Sequence, residues 1–200
     1  MLDIVLSLLG MIVASPFILV LIIAIKFTSK GPILFKQKRI GIHKRPFNIL
    51  KFRTMKIETP SDTPTHLLTD PNQYITKIGK FLRKSSMDEL PQLWNIFVGD
   101  MSIIGPRPAL WNQYDLIEER DKYGANNVYP GLTGWAQING RDEVSIEEKA
   151  NLDGQYVKNI TFYMDIRCIF GTILSVFKAD GVLEGGTGSN KEVASSKERL

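Results

Sequence analysis

The chain has 200 residues, 44% of them hydrophobic, and a net charge of +4, which fits one globular domain with a buried core. Its one cysteine, Cys168, excludes an intrachain disulfide framework, and the apolar residues around it predict a buried thiol. The two histidines, His43 and His66, are too few and too far apart for a zinc site. No P-loop, dinucleotide fingerprint or Ser-His-Asp order occurs, so any nucleotide must be held by another device.

The N-terminal segment is apolar, with no charged residue from Ile4 to Ile25. As a straight helix it would reach about 33 Å, enough to cross a hydrocarbon layer of about 30 Å. A cleaved signal peptide is disfavoured because no basic residue precedes the run and no small-x-small cleavage site follows it. Ser15-Pro16 interrupts the segment near its middle, where proline removes a helical hydrogen bond. A kinked spanning helix and a bend that returns to the same side both fit this pattern.

Residues 26–57 are basic and contain no acid. A basic stretch directly after an apolar run indicates that this side faces the cytoplasm. It also attracts anionic lipid headgroups and phosphorylated ligands, although topology alone would explain most of these charges. The basic side chains are Lys26, Lys30, Lys36, Lys38, Arg39, Lys44, Arg45, Lys51, Arg53 and Lys56.

The middle of the chain contains a predicted hairpin and a predicted basic helix. Two short β-prone runs within Gly31 to Met55 flank a basic turn and predict the hairpin. Residues 58–72 are rich in Thr, Pro, Ser and Asp, which is typical of a loop. Apolar residues at helical spacing from Ile75 to Leu82 predict an amphipathic basic helix, which suits either a membrane surface or a protein core.

Two adjacent acids, Asp88 and Glu89, stand close to basic residues. Ser86 and Glu89 fit a capping box, which predicts a helix from about Ser86 to a stop at Gly99. Asp88 would then lie beside the positive end of the helix dipole, which favours the ionised carboxylate. An acid pair in a basic setting indicates phosphate chemistry, with a carboxylate as nucleophile or metal ligand. The alternative is a pair of surface acids at a helix start.

Two loops in the second half of the chain each carry an arginine. Gly105-Pro106-Arg107-Pro108 is a stiff loop whose arginine suits bidentate phosphate binding, unless it is a simple turn. A helix is predicted over residues 109–123, followed by a glycine-punctuated loop from Pro130 to Arg141 that permits close approach to a ligand. Ser145 and Glu148 predict the cap of a further helix. Asp165 to Lys178 predict a final amphipathic helix, and the polar tail after it is predicted to be disordered.

In this order, these motifs resemble the bacterial sugar transferase family, the small monotopic polyprenyl-phosphate phosphoglycosyl transferases, from about Asp3 to about Asp180. The motifs that carry the resemblance are Ser15-Pro16, Lys51-Phe52-Arg53-Thr54-Met55, the Asp88-Glu89 segment, Gly105-Pro106-Arg107-Pro108, Pro130-Gly131-Leu132-Thr133-Gly134 and Asn139-Gly140-Arg141.

The resemblance and the pattern together imply an α+β fold, mainly helical with a small β-hairpin. It would comprise a re-entrant membrane helix over residues 1–26, a cytoplasmic-face catalytic domain with amphipathic interfacial helices over 27–182, and a polar, disordered tail over 183–200. The family's helix is broken at a Ser-Pro pair, which Ser15-Pro16 matches, and both termini lie on the cytoplasmic side of the bacterial inner membrane.

The resemblance also implies a reaction, the transfer of a phospho-sugar from a UDP-sugar to membrane polyprenyl (undecaprenyl) phosphate with release of UMP. Asp88 would form a covalent aspartyl phospho-sugar intermediate, giving ping-pong kinetics. The family depends on Mg²⁺, which Glu89 and Asp88 would help to hold, although a role for Glu89 at the lipid phosphate is equally open. Phosphate contacts are expected from Lys51, Arg83, Arg107 and Arg141, and nucleotide or sugar contacts from Gln137 and Asn139.

Two other functions use the same features. A metal-dependent phosphohydrolase acting on lipid diphosphates would use the same acids and arginines with water as the acceptor. A non-enzymatic membrane adaptor would use the basic stretch to bind headgroups. Nucleic acid is not an expected partner because the basic residues lack an aromatic stacking pattern. The sugar, the acceptor chain length, the glycan pathway and homodimer formation stay open.

Overall fold

The computed structural model describes residues 1–59, 70–140 and 144–178, and its architecture is the predicted α+β fold, mainly helical with a small hairpin. The predicted tail over 183–200 and most of the predicted loop over 58–72 lie outside the described residues. In chain order the elements are α1 (Leu2–Thr28), β1 (Leu34–Ile40), β2 (Pro46–Phe52), α2 (Lys77–Lys84), α3 (Gln92–Phe97), β3 (Ser102–Ile104), α4 (Tyr114–Asp121), β4 (Gly131–Thr133), α5 (Trp135–Ile138), α6 (Ile146–Lys158) and α7 (Phe162–Lys178).

Helix α1 runs through Ser15 and Pro16 without interruption. Pro16 has no N–H to donate to the carbonyl of Ile12, one turn earlier. The Ser15 hydroxyl takes its place and donates to the Ile12 carbonyl oxygen at 2.7 Å. The helix is therefore continuous in secondary structure across Ser15-Pro16, because the serine satisfies the carbonyl that the proline leaves without a partner. The predicted break of the helix path at this pair stays a prediction.

The two ends of α1 are fixed to the rest of the fold. Near its start, the Asp3 carboxylate accepts hydrogen bonds from the Ile103 amide at 3.1 Å and the Ser102 hydroxyl at 3.0 Å, both on β3. Toward its end, Leu21 and Ile25 are buried in a cluster with Phe52 and Leu82. The remaining apolar side chains of α1 are largely exposed. By length and composition α1 could cross a membrane, and it is the one helix of the described residues that passes this test.

Arg53 holds the segment that follows α1. Its guanidinium is buried and donates to the carbonyl oxygens of Lys30 at 2.5 Å and Ser29 at 2.9 Å, and to the Ser29 hydroxyl at 2.6 Å. Gly31 has a φ of +119°, and a Cβ there would come within 2.0 Å of the Arg53 Nη1 atom. Glycine is thus required beside the guanidinium, and Arg53 joins the end of α1 to the end of the hairpin.

The predicted hairpin is confirmed as strands β1 and β2, which pair antiparallel. Lys51 lies opposite Phe35, and Ile49 lies opposite Gln37. Because directly opposed residues and every second residue share a face, Gln37, Ile49 and Lys51 lie on the same face of the hairpin. Ile49 is buried there with Ile96 of α3, which identifies this face as the one turned to the interior.

Glycine contacts bring two loops together beside the parallel pair β3–β4. A Cβ at Gly131 would come within 2.1 Å of the Gly105 amide nitrogen, and one at Gly134 within 2.1 Å of the Gly105 carbonyl oxygen. The sequence predicts that the glycines of this loop permit close approach of a ligand, whereas Gly131 and Gly134 admit the backbone of the neighbouring loop. This contact fixes the Gly105–Pro108 loop against β4.

Two predicted helices begin later than expected. Met87–Glu89 form a 3₁₀ turn, and α3 begins only at Gln92. Ser86 has a φ of +55° and makes no side-chain capping hydrogen bond, so the predicted capping box is wrong. Residues 109 and 110 do not begin a helix because the Ile40 amide donates to the Ala109 carbonyl and Leu110 bridges to β1. Gly99, with a φ of +86°, ends α3 as predicted.

The remaining helices agree with their sequence patterns, except that α7 begins at Phe162, three residues before the predicted Asp165. The Ser145 hydroxyl accepts from the Glu148 amide at 3.2 Å, which confirms that cap. Helix α2 places Leu82 in the core and leaves Phe81 exposed, so it packs on the domain and also presents apolar surface. Cys168 on α7 is buried as predicted.

Arg53→Leu is expected to destabilise the protein by about 1–3 kcal/mol, because the carbonyls of Ser29 and Lys30 would lose the charged donor that joins them to the hairpin. Thermal unfolding in detergent micelles measures the change. Lys56→Leu is the matched control, since it removes the same charge from an exposed side chain three positions later. Equal unfolding temperatures for the two variants would contradict the role of Arg53.

Candidate active site at the acid pair

The acid pair occupies the 3₁₀ turn Met87–Glu89, between α2 and α3 and against β2. Asp88 is only 7% exposed. A buried Asp88 beside a partly buried Glu89 is unlike the surface acids of an ordinary helix start, so that alternative is wrong. Ionised groups are buried when they are paired or when function requires them.

Glu89 is held by two cations through one oxygen atom. Its Oε1 accepts hydrogen bonds from Lys51 Nζ at 2.7 Å and from Arg107 Nη2 at 2.6 Å. Burial by itself would raise the pKa of Glu89, but the charges and hydrogen bonds of Arg107 and Lys51 outweigh it and hold that pKa far below its usual range. Glu89 is therefore ionised in the folded protein, and it joins the hairpin to the Gly105–Pro108 loop.

Asp88 is in a different environment from its neighbour. Its Oδ2 lies 3.9 Å from Lys51 Nζ, and within the described part of the chain the carboxylate accepts no hydrogen bond. Burial raises the pKa of Asp88, and the Glu89 charge adds to this, while Lys51, Arg83 and Arg107 oppose it. The expectation that a helix dipole favours the ionised form is wrong in its net direction, because α3 begins beyond Asp88 and desolvation prevails.

The Gly105–Pro108 loop presents Arg107 to the acids and is supported from two sides. Its backbone bonds to β4, since the Gly105 amide donates to the Thr133 carbonyl at 2.8 Å. Arg39 of β1 donates from Nη1 to the Pro108 carbonyl at 2.9 Å and from Nε to the Gln37 side-chain oxygen at 3.1 Å. Sequence reasoning missed Arg39 and Gln37, although the two-residue alternation of the hairpin places both on the face of Lys51.

Arg83 approaches the same site from α2. Its Nε donates to the Thr54 hydroxyl at 3.2 Å, and its charge acts on Asp88. The structure therefore assembles five of the predicted site residues around one point, although they are distant in sequence. These residues are Lys51, Arg83, Asp88, Glu89 and Arg107.

The predicted nucleotide or sugar contacts have different outcomes. The Gln137 amide is buried, and its nitrogen and oxygen have no hydrogen-bond partner among the described residues. The Asn139 amide is exposed and donates to the Trp135 carbonyl at 2.8 Å, which closes the short helix α5. Arg141 lies outside the described residues.

The acid pair supplies two carboxylates, and a divalent cation here would need further oxygen donors from water or a ligand. Within the described ranges, no group of three or more His, Cys, Asp or Glu side chains surrounds a common point. Mg²⁺ is commonly held by one or two carboxylates, with water and substrate phosphates completing its octahedron. Asp88 and Glu89 fit that donor set, and the surrounding cations favour a phosphorylated ligand as the source of the other oxygens.

Comparison with known proteins identifies the family of this chain. Residues 1–179 match the family described as bacterial sugar transferase. The chain is 42% identical to the uncharacterized sugar transferase EpsL of Bacillus subtilis over 84% of this chain and 81% of that protein. It is 38% identical to the UDP-glucose:undecaprenyl-phosphate glucose-1-phosphate transferase of Escherichia coli, covering 88% of this chain but only 39% of the relative. A Salmonella typhimurium undecaprenyl-phosphate galactose phosphotransferase is 34% identical over 90% of this chain and 40% of its own length. The chain therefore belongs to the bacterial sugar transferase family.

Proposed function

We propose that this protein transfers a phospho-sugar from a UDP-sugar to a membrane polyprenyl phosphate and releases UMP. The observation that carries the proposal is the buried Asp88 carboxylate, which accepts no hydrogen bond from the described residues and faces Lys51, beside a Glu89 already paired with two cations. The names of the Escherichia coli and Salmonella typhimurium relatives support the substrate classes.

The chemistry divides into two displacements at one phosphorus atom. An Asp88 carboxylate oxygen attacks the sugar-proximal phosphorus, the bond from that phosphorus to the bridging oxygen breaks, and UMP leaves with the electron pair. An oxygen of the polyprenyl phosphate then attacks the same phosphorus and the bond to Asp88 breaks, which restores the carboxylate. Because the carboxylate is poorly solvated, little hydration has to be removed before it attacks.

The cations would stabilise the charge that develops on the phosphoryl oxygens. Lys51 and Arg107 are already fixed by Glu89, so they need little reorganisation when the diphosphate arrives. Arg83 approaches from α2 and offsets the charge of Asp88. A diphosphate brings negative charge to a site in which cations outnumber carboxylates, and this supports binding of the donor.

Mg²⁺ is the proposed cofactor, held by Asp88 and Glu89 together with the donor's phosphates. When bound, the metal would neutralise charge on the diphosphate and its leaving group. Glu89 has one oxygen engaged by Lys51 and Arg107, and its second oxygen makes no hydrogen bond with the described residues. A bridging carboxylate of this kind could contact cationic side chains and a metal at once.

The contacts of α1 support a re-entrant, monotopic arrangement. Its 27 residues would span about 40 Å as a straight helix, yet Asp3 near one end and Ile25 near the other both contact the same folded unit. A straight crossing would carry one of these contacts to the opposite side of the bilayer. We therefore infer that the exposed apolar side of α1 enters one leaflet, with the basic residues after it on the cytoplasmic side of the bacterial inner membrane.

Asp88→Asn is expected to reduce transfer by roughly a thousandfold or more, because the amide is a poor nucleophile. Intact-protein mass spectrometry after incubation with UDP-sugar and Mg²⁺, without lipid, tests the step directly. The wild type should gain the mass of one phospho-sugar, and Asp88→Asn should not. Glu118→Gln, at an exposed acid, should behave as the wild type. UMP release by the wild type without any adduct would reject the covalent route. Release of UMP over many turnovers in the absence of polyprenyl phosphate would favour a hydrolase.

Arg107→Leu is expected to lower the transfer rate by roughly 100-fold to 1,000-fold, because a preorganised cation facing the phosphoryl oxygens is lost. Arg107→Lys should recover part of this rate, since it keeps the charge but not the bidentate geometry. Steady-state UMP release in polyprenyl phosphate-containing micelles gives both values. Arg45→Leu, which removes an exposed arginine of the hairpin turn, is the control. Wild-type turnover by Arg107→Leu would contradict the assignment.

Cysteines placed at Leu2 and at Lys30 are expected to be accessible from the same side of the membrane. The native Cys168 should give little background, since it is buried and burial raises its pKa to about 11. Labelling of inside-out vesicles and of intact spheroplasts with a membrane-impermeant maleimide makes the comparison. Both positions should react in the vesicles only. Labelling of the two positions from opposite sides would show a spanning helix and overturn the re-entrant arrangement.

A further inference from the structure

Gln92 lies one helical turn beyond the acid pair. Leu90 and Pro91 both have helical backbone angles, so the 3₁₀ turn continues directly into α3. Residues 88, 92 and 95 are therefore spaced to share one face of this path. That face is turned toward β2, because Asn95 accepts from the Leu50 amide at 2.9 Å and donates to the Asn48 carbonyl at 2.9 Å.

Asp88 and Asn95 thus contact β2 at the two ends of this helix face, and Gln92 lies between them. Gln92 is 1% exposed, and neither its side-chain nitrogen nor its oxygen has a hydrogen-bond partner among the described residues. Burial of an unpaired amide opposes folding, so an apolar side chain of similar length would serve the core better. A role in packing alone does not account for this amide.

Asp88 supplies an unsatisfied acceptor on the same face. Side chains on a helix lean toward its N-terminus, so the Gln92 side chain leans toward residue 88. The Asp88 carboxylate accepts no hydrogen bond from the described residues, and Lys51 Nζ, 3.9 Å away, is bonded to Glu89. An unused donor and an unused acceptor therefore lie one turn apart in a desolvated site.

We propose that Gln92 is a positioning residue whose side-chain amide donates a hydrogen bond to the Asp88 carboxylate when the donor substrate binds. The bond occupies one carboxylate oxygen and directs the other at the phosphorus. The occupied oxygen becomes the carbonyl oxygen of the acyl phosphate and remains an acceptor, so the same bond persists through both displacements. This inference rests on the proposed function, because it assigns Gln92 an effect only through Asp88.

Gln92→Met separates positioning from packing, since methionine has a similar length and no amide. We expect the single-turnover rate of adduct formation to fall about 10-fold to 100-fold, the effect of a misaimed nucleophile. The KM for the UDP-sugar should stay within about twofold, because Gln92 does not bind the donor. The unfolding temperature should be unchanged or higher, because an unpaired buried amide has been removed.

Asn95→Met is the matched control on the same helix face. Its amide is fully used by β2 and by Asp100, so this variant should unfold at a lower temperature than the wild type. A loss of both stability and rate in Gln92→Met, repeated in Gln92→Leu, would make Gln92 a packing residue and overturn the inference. A wild-type rate in Gln92→Met would overturn it as well.

Failure of this inference and failure of the proposed function give different results. If the wild type forms the adduct, Asp88→Asn does not, and Gln92→Met forms it at the wild-type rate, only the role of Gln92 is rejected. If the wild type transfers phospho-sugar without ever forming an adduct, the covalent route is rejected and the role of Gln92 is rejected with it.

Discussion

The shared contact of Lys51 and Arg107 with one oxygen of Glu89 is the interaction on which the site depends. It joins three segments that are far apart in the chain, the hairpin, the turn before α3 and the loop after β3. These three charges are partly withdrawn from water and compensate one another, so removing one partner leaves the others less compensated. The cluster therefore fixes the relative positions of the cations before any ligand binds.

The same cluster gives two adjacent carboxylates opposite properties. Glu89 receives both hydrogen bonds and its pKa is held far below the usual range, whereas burial raises the pKa of Asp88, which receives none from the described residues. Neighbouring acids with such different environments commonly divide their roles in catalysis. Here Glu89 suits the organisation of cations, and Asp88 retains the free oxygens that an attacking group needs.

The apolar helix α1 is connected to this cluster through the hairpin. Phe52, which packs against Leu21 and Ile25, is adjacent in the chain to Lys51. Arg53, the next residue, bonds to the carbonyls that follow α1. Lys51 thus contacts the acid pair, Phe52 packs against α1, and Arg53 bonds to the residues that follow α1. A membrane-embedded α1 would consequently hold the acid pair at a fixed distance from the bilayer surface.

The sequence alone determined the features that depend on neighbouring residues. The hairpin, the amphipathic helix α2, the cap at Ser145 and the apolar character of α1 follow from local spacing and composition, and the motifs identified the acid pair and Arg107. The tertiary structure decided the rest, including the late start of α3, the raised pKa of Asp88, the support from Arg39 and the burial of Gln92. These depend on which distant segments meet, because desolvation, ion pairing and the use of a backbone carbonyl are set by contacts between residues far apart in the chain, which local periodicity does not encode.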